Sequence, residues 1–176
     1  MQCYETPNPS FLLPRRNGCA ETFRSYTSDR PIGPEEGLEP EELVRMLQVP
    51  SWFPDDVFSW MRELPYYHED EHAIYVHAGL EGEGTVWMHP SAGKLRPLLW
   101  MREPDFYKGY HGKCVVFGHT VVSELPIDHM GALQRLFHDP KDVWVRGDLV
   151  GIDTGCGKGG FLTALELPAM RVYESR

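Results

Sequence analysis

From residue 73 onward the chain is a series of short apolar runs separated by glycine, proline and charge: "AIYVHAGL", "KCVVFGHT", "DLVGIDTG", "GFLTALEL" and "AMRVYES". Runs of four to eight residues bounded in this way read as strands, most of them buried, and are too short for helices of ordinary length. The segment before them has a different period. "EPEELVRMLQV" places Pro40 at a helix start, acids in the first turn, and Leu43, Met46 and Leu47 at three-to-four spacing, the pattern of an amphipathic helix. "PDDVFSWMREL" opens on Pro54 with Asp55 and Asp56 and presents Val57, Trp60, Met61 and Leu64 on one side. Both helices are expected to cover a sheet. The fold class is therefore α+β, with helices gathered early and strands late.

Within this plan residues 1–37 read as an irregular lead-in and loop, 38–72 as a helical cover and 73–176 as a strand-rich core, all in one domain. "CAETFRSY" is a short-helix candidate inside the lead-in, and the Pro- and Gly-rich "SDRPIGPEEGLEP" behind it is a loop. "LRPLLWMREPDFY" is expected to be helical after Pro97, and "IDHMGALQRLFHD" is a further helix candidate. With 41% apolar residues in 176, the chain can bury a sizeable core.

The glycine-rich "GIDTGCGKGG" resembles a phosphate-binding loop only superficially. That loop needs G-x-x-x-x-G-K-[ST], whereas here Lys158 is followed by Gly159 and the required first glycine falls on Ile152. The flanking "VWVRGDLVGID" and "FLTALEL" are strand-like, so a β-hairpin turn at Gly155 to Gly160 is expected.

Charge and cysteine usage narrow the function further. A net charge of −9 with no basic stripe disfavours nucleic acid and anionic lipid as partners. No signal peptide and no apolar window of membrane-spanning length is present, so a cytoplasmic location is expected. Cys3, Cys19, Cys114 and Cys156 form no C-x-x-C pair, and in a reducing compartment they read as free thiols, with Cys114 a small core residue.

Two of the strands end alike, with His77 after "IYV" and His119 after "VVFG". Histidines at the ends of buried strands project into a cleft, and neutral imidazole is the commonest ligand for zinc, manganese or iron. The remaining six histidines, at 68, 72, 89, 111, 129 and 138, lie in polar surroundings and read as solvated. Between the two strand-end histidines Arg102 follows Leu98, Leu99 and Trp100. It offers a planar fork suited to phosphate, if it is not consumed in a salt bridge.

In order, "NGCAETFRSY", "LPYYHEDEHAIYVHAGL", "LLWMREPDF", "CVVFGHT" and "GIDTGCGKGGFLTALELP" resemble the second part of the catalytic domain of the metal-dependent serine/threonine phosphoprotein phosphatases. These belong to the calcineurin-like metallophosphoesterases, and the likeness is greatest to the bacterial branch. The related symmetrical diadenosine tetraphosphate hydrolases share "HAG" and "FGH". The resemblance implies a metallophosphoesterase-type β-sandwich flanked by helices, with its N-terminal part absent. It implies that His77 and His119 are metal ligands, that Arg102 grips the substrate phosphate, and that two divalent ions (manganese, iron or zinc) activate a hydroxide against a phosphoprotein or small phosphoester.

The family's "GDxHG", "GDxVDRG" and "GNHE" do not occur here, so four of the six implied metal ligands are missing. Two dications ~4 Å apart repel by roughly 16 kcal/mol at an effective dielectric of 20, and two neutral imidazoles cancel none of it. Asp148 and Asp153 are the remaining acids near the motifs, and Asp153 reads as a turn residue or strand-end acceptor. Metal binding by this chain is expected to be weak or absent. Two readings stay open: a partial phosphatase whose first motifs lie upstream of Met1, and a non-catalytic module that still recognises phosphate or a partner. Missing strands would leave sheet edges that invite self-association.

Overall fold

The computed structural model describes residues 9–12, 17–27, 33, 36–48, 52–126 and 142–176. It divides into two compact units, Met1–Leu64 and Pro65–Arg176.

The first unit is helical: α1 (Pro9–Leu12), α2 (Cys19–Thr27), α3 (Pro40–Leu47) and α4 (Asp55–Glu63). Helix α3 starts where the sequence predicts, with Pro40 in its first turn and the Glu42 carboxylate accepting the Glu39 backbone N–H at 3.0 Å. Its Met46, 1% exposed, packs on Phe23 of α2 and Leu12 of α1, with Trp52 and Phe53 at the margin. Glu42 also holds Arg24, through Nε at 2.9 Å and Nη2 at 2.8 Å, while Glu36 takes Nη1 at 3.2 Å. A guanidinium in a 6% exposed side chain is thus satisfied by two carboxylates. Helix α4 departs from expectation: Pro54 is its N-cap, and Trp60 and Leu64, read as part of its apolar face, are 60% and 44% exposed.

The second unit is built on a five-stranded mixed sheet. Its strands are β1 (Tyr67–Glu69), β2 (Ile74–Val76), β5 (Val115–Phe117), β6 (Trp144–Arg146) and β7 (Leu149–Gly151), in the order β1-β2-β5-β7-β6. Strand β1 lies within the stretch 38–72 read as helical cover. It joins β2 through a turn in which Asp70 Oδ1 accepts the N–H groups of His72 and Ala73. Those backbone bonds, Ala73's first, hold the Asp70 carboxyl down at about 2. The short ribbon β3 (Gly82–Glu83) and β4 (Val86–Trp87) follows β2, and helices α5 (Leu95–Trp100) and α6 (Pro104–Gly109) lead into β5. Helix α5 begins before Pro97 rather than after it; in the first turn the missing proline N–H has no intrahelical partner to lose.

Side-chain alternation sorts the sheet into two faces. Ile74, Val76, Val115, Phe117 and Leu149 point to one face, where they meet Leu98, Met101, Phe106 and Tyr107 of α5 and α6. Tyr75, Val116 and Val150 point to the other, against Leu165 and Leu167 and with Cys114 at the margin. Leu165 belongs to a separate ribbon, β8 (Thr163–Glu166) with β9 (Arg171–Glu174).

The expected hairpin between "VWVRGDLVGID" and "FLTALEL" is corrected by these pairings. The first segment is itself a hairpin, β6 against β7, turning at Gly147 with φ +54. The second pairs with β9 instead. Between them Gly155 and Gly159, at φ +76 and +78, bracket a 3₁₀ turn, Cys156–Lys158, conformations that glycine adopts without strain. A Cβ on Gly160 would stand 1.8 Å from the Thr154 carbonyl oxygen, so that position admits glycine alone. The helix candidate at 127–139 lies outside the described residues.

Candidate functional site

The central strands β2, β5 and β7 run parallel, and their register aligns Val76, Phe117 and Gly151. The chain therefore leaves all three at one edge, and the ladder continues for one more step. Gly118 N donates to His77 O at 3.0 Å and Ile152 N to Phe117 O at 2.9 Å. One residue beyond lie His119 and Asp153. The carboxyl ends of parallel strands are where open sheets of this kind bind ligands, and here they carry two imidazoles and a carboxylate.

His77 Nε2 lies 3.0 Å from His119 Nδ1. The Trp100 ring stands edge-on to His119, with centroids 5.3 Å apart at 87°. His119 is held at φ +67, and the Thr120 N–H donates back to Gly118 O at 2.7 Å. That i-to-i+2 bond around a positive φ is a γ-turn of the rarer, strained hand. A second i-to-i+2 bond, Thr154 N to Ile152 O at 3.1 Å, encloses Asp153, and Val122 N to Asp153 O at 2.8 Å ties this turn to the segment that follows the His119 turn.

Desolvation disfavours charge on both rings. It lowers His77, with Asp153 opposing, and takes His119 down to about 4, where the charges of His77, Arg102 and Lys158 add to it and Asp153 again opposes. Both imidazoles are therefore neutral near neutral pH, with one ring of the pair donating to the other. His119 Nε2 is buried without a hydrogen-bond partner among the described residues.

Arg102 follows α5 and its charge acts on His119. It is exposed rather than seated on an apolar platform: of the residues before it Leu98 is buried, but Trp100 is 52% exposed. Its Nη1 is 3.8 Å from Glu124 Oε2, with both side chains more than half exposed, a pairing weak enough for an incoming anion to displace.

Asp153 is the residue that sequence reasoning set aside. It does act as a turn acceptor, taking the Gly155 N–H at 3.0 Å on Oδ1, but its charge also acts on the histidine pair, partly opposing the desolvation that lowers both. The signal was present in the spacing: "VVFGH" and "LVGID" each put a polar residue two positions after the aligned strand residue. Asp148 is elsewhere, at the β6–β7 hairpin, where it accepts the Gly112 N–H.

The donor set does not fit a pair of dications. Among the described residues no three His, Cys, Asp or Glu side chains converge in a way that could hold a metal ion, and Asp153 is the one carboxylate acting on the imidazole pair. It would leave most of the mutual repulsion of two ions in place.

No protein-family profile matches the chain, and no curated protein matches it. Among solved structures it is similar to the "Crystal structure of a putative diadenosine tetraphosphatase", with 19% identity and a TM-score of 0.53. The match covers 75% of this chain and 58% of that one, so the chain spans less than two thirds of the structure it resembles. No helix among the described residues is long and apolar enough to cross a membrane. The parallel strand ends, the flanking helices and this likeness together give a mixed α+β fold similar to that of the solved structure.

Proposed function

We propose that this chain carries the imidazole-and-arginine half of a phosphoester-hydrolysing site, the other half being supplied by acidic residues that it does not contain. The observation that supports this reading most is the meeting of His77 and His119 at 3.0 Å, on the carboxyl ends of two adjacent parallel strands. The substrate class is a phosphomonoester, such as a phosphoserine or phosphothreonine side chain. A nucleoside polyphosphate is the second reading, and the exposed Trp100 ring beside His119 favours it, because a base can stack on it.

In this reading each residue has a separate task. Arg102 exchanges its loose contact with Glu124 for the phosphoryl oxygens and offers a two-pronged donor. The two imidazoles, neutral in their desolvated pocket, share a hydrogen bond between His77 Nε2 and His119 Nδ1. Both of these nitrogens offer a lone pair once the donating ring carries its proton on its other nitrogen. Metal ions, where both halves of a site are present, supply an activated hydroxide and charge neutralisation. Asp153 braces the turn beside the pair through the Gly155 N–H.

The test is hydrolysis of p-nitrophenyl phosphate and of a phosphoserine peptide with manganese present, using the 176-residue chain and its His77→Ala and His119→Ala variants. The chain alone is expected to show no turnover, while a chain extended upstream to include "GDxHG", "GDxVDRG" and "GNHE" segments gains it. Turnover by the parent that both substitutions abolish would overturn the half-site reading. It would place the missing ligands within these 176 residues.

A further inference from the structure

Arg102 and His119 sit on different elements, yet one buried side chain reaches the neighbours of both. Tyr107, in α6 and 3% exposed, has its hydroxyl 2.9 Å from Met101 O and 3.1 Å from Thr120 Oγ1. Met101 immediately precedes Arg102, and Thr120 immediately follows His119. A phenol has one proton, and a carbonyl can only accept, so that proton goes to Met101 O. The Thr120 hydroxyl must then donate to the phenol oxygen. Thr120 is itself 6% exposed, so neither bond is exchanged with water.

Two further facts give this bridge a job. His119 is strained, at φ +67 inside a γ-turn closed by the Thr120 N–H, and such a conformation persists only where its surroundings hold it. Arg102, by contrast, is held among the described residues by the long, exposed contact to Glu124. Resting on the reading above, we infer that Tyr107 is a positioning residue, its hydroxyl fixing the strained His119 turn and the Arg102 loop relative to each other, so that phosphate is met by both at once. The ring is a separate matter. It packs against Phe106, Phe117 and Trp144 at centroid distances of 5.3, 5.6 and 6.3 Å, and Tyr107→Phe keeps all of it.

The test separates positioning from bulk stability. Tyr107→Phe and Thr120→Val each remove the bridge, while Val115→Ala weakens the same core face and leaves the phenol alone. By NMR on the full chain, both bridge variants should speed amide exchange at Thr120 by about five- to tenfold, the worth of one buried hydrogen bond. They should also weaken the through-space contact between the Trp100 and His119 rings, and the double variant should add little to either single one. Val115→Ala should raise exchange across the sheet without singling out Thr120. Equal responses in all three variants, or no selective change at Thr120 and the Trp100–His119 contact, would overturn the inference. Titration with inorganic phosphate tests the underlying reading separately. Tyr107→Phe should weaken its binding three- to tenfold, whereas a parent chain that binds no phosphate would count against the phosphoester site and leave the exchange result to stand by itself.

Discussion

Gly79→Ala should unsettle the site from a distance, by a route that its chemistry does not announce. Gly79 is the glycine of "VHAG", two residues after His77, and its φ is not in the left-handed region. By backbone alone, alanine should be welcome there and stabilise by about 0.4–1 kcal/mol, through a less disordered unfolded chain. Packing reverses the sign. The new Cβ would stand 2.6 Å from Met101 Cγ, 2.7 Å from Met101 Cβ and 2.8 Å from Phe106 Cε1. Met101 Cβ is bonded to backbone, not a flexible tip, and Phe106 is fully buried, so relief requires the Met101–Arg102 segment to shift. Overpacking of this kind costs typically 1–3 kcal/mol, and contacts this short belong at the upper end. After subtracting the entropic gain, a net loss of about 2 kcal/mol remains. For a unit of roughly a hundred residues this lowers Tm by about 8 °C. Thermal unfolding by near-ultraviolet circular dichroism measures it, with Gly157→Ala as the control, since a Cβ there meets nothing within 4 Å and its φ is not positive. Equal Tm values for the two variants would refute the reasoning. So would a destabilised Gly79→Ala in which the Arg102 and Tyr107 NMR signals do not move.

Further expectations concern other parts of the chain. Gly160→Ala should be costlier than Gly79→Ala, about 3 kcal/mol or more, because its Cβ would overlap the Thr154 carbonyl oxygen; limited proteolysis should find the 155–160 loop opened. Without metal, stability should fall as pH drops from the ordinary histidine value of 6.5 toward about 4. In that window the unfolded chain takes up a proton that the folded His119 refuses, and the loss should be about 1–2 kcal/mol after allowance for the ring's partial exposure. Urea midpoints at pH 7.0 and 4.5 check this, and an unchanged midpoint, or one that moves the same way in His119→Ala, would contradict it. Glu124→Gln should tighten inorganic phosphate binding by about two- to fivefold, by removing a competitor worth less than about 1 kcal/mol; isothermal titration would show it, and weaker binding would mean that Glu124 orients Arg102 instead.

What was legible in the sequence was the chemistry at strand ends, because an apolar run that stops at Gly-His or Val-His locates its last residue in any sheet. The pairing of the runs was not legible. "VWVRGDLVGID" and "FLTALEL" have the same period, and only the tertiary structure shows that the first folds on Gly147 and the second seeks β9. Asp153 was lost for the same reason, since its place beside the histidines depends on β7 lying parallel to β5, a relation between segments more than thirty residues apart. Trp60 was misread because three-to-four spacing marks a face without saying whether anything covers it.

Zinc titration of the 176-residue chain, followed by the imidazole nitrogen NMR signals of His77 and His119, tests the half-site most directly. The account predicts that His77 Nε2 and His119 Nδ1 respond together, to at most one weakly held ion per chain that a chelator removes at once. Rings that respond independently, or two ions held tightly without any added segment, would contradict it.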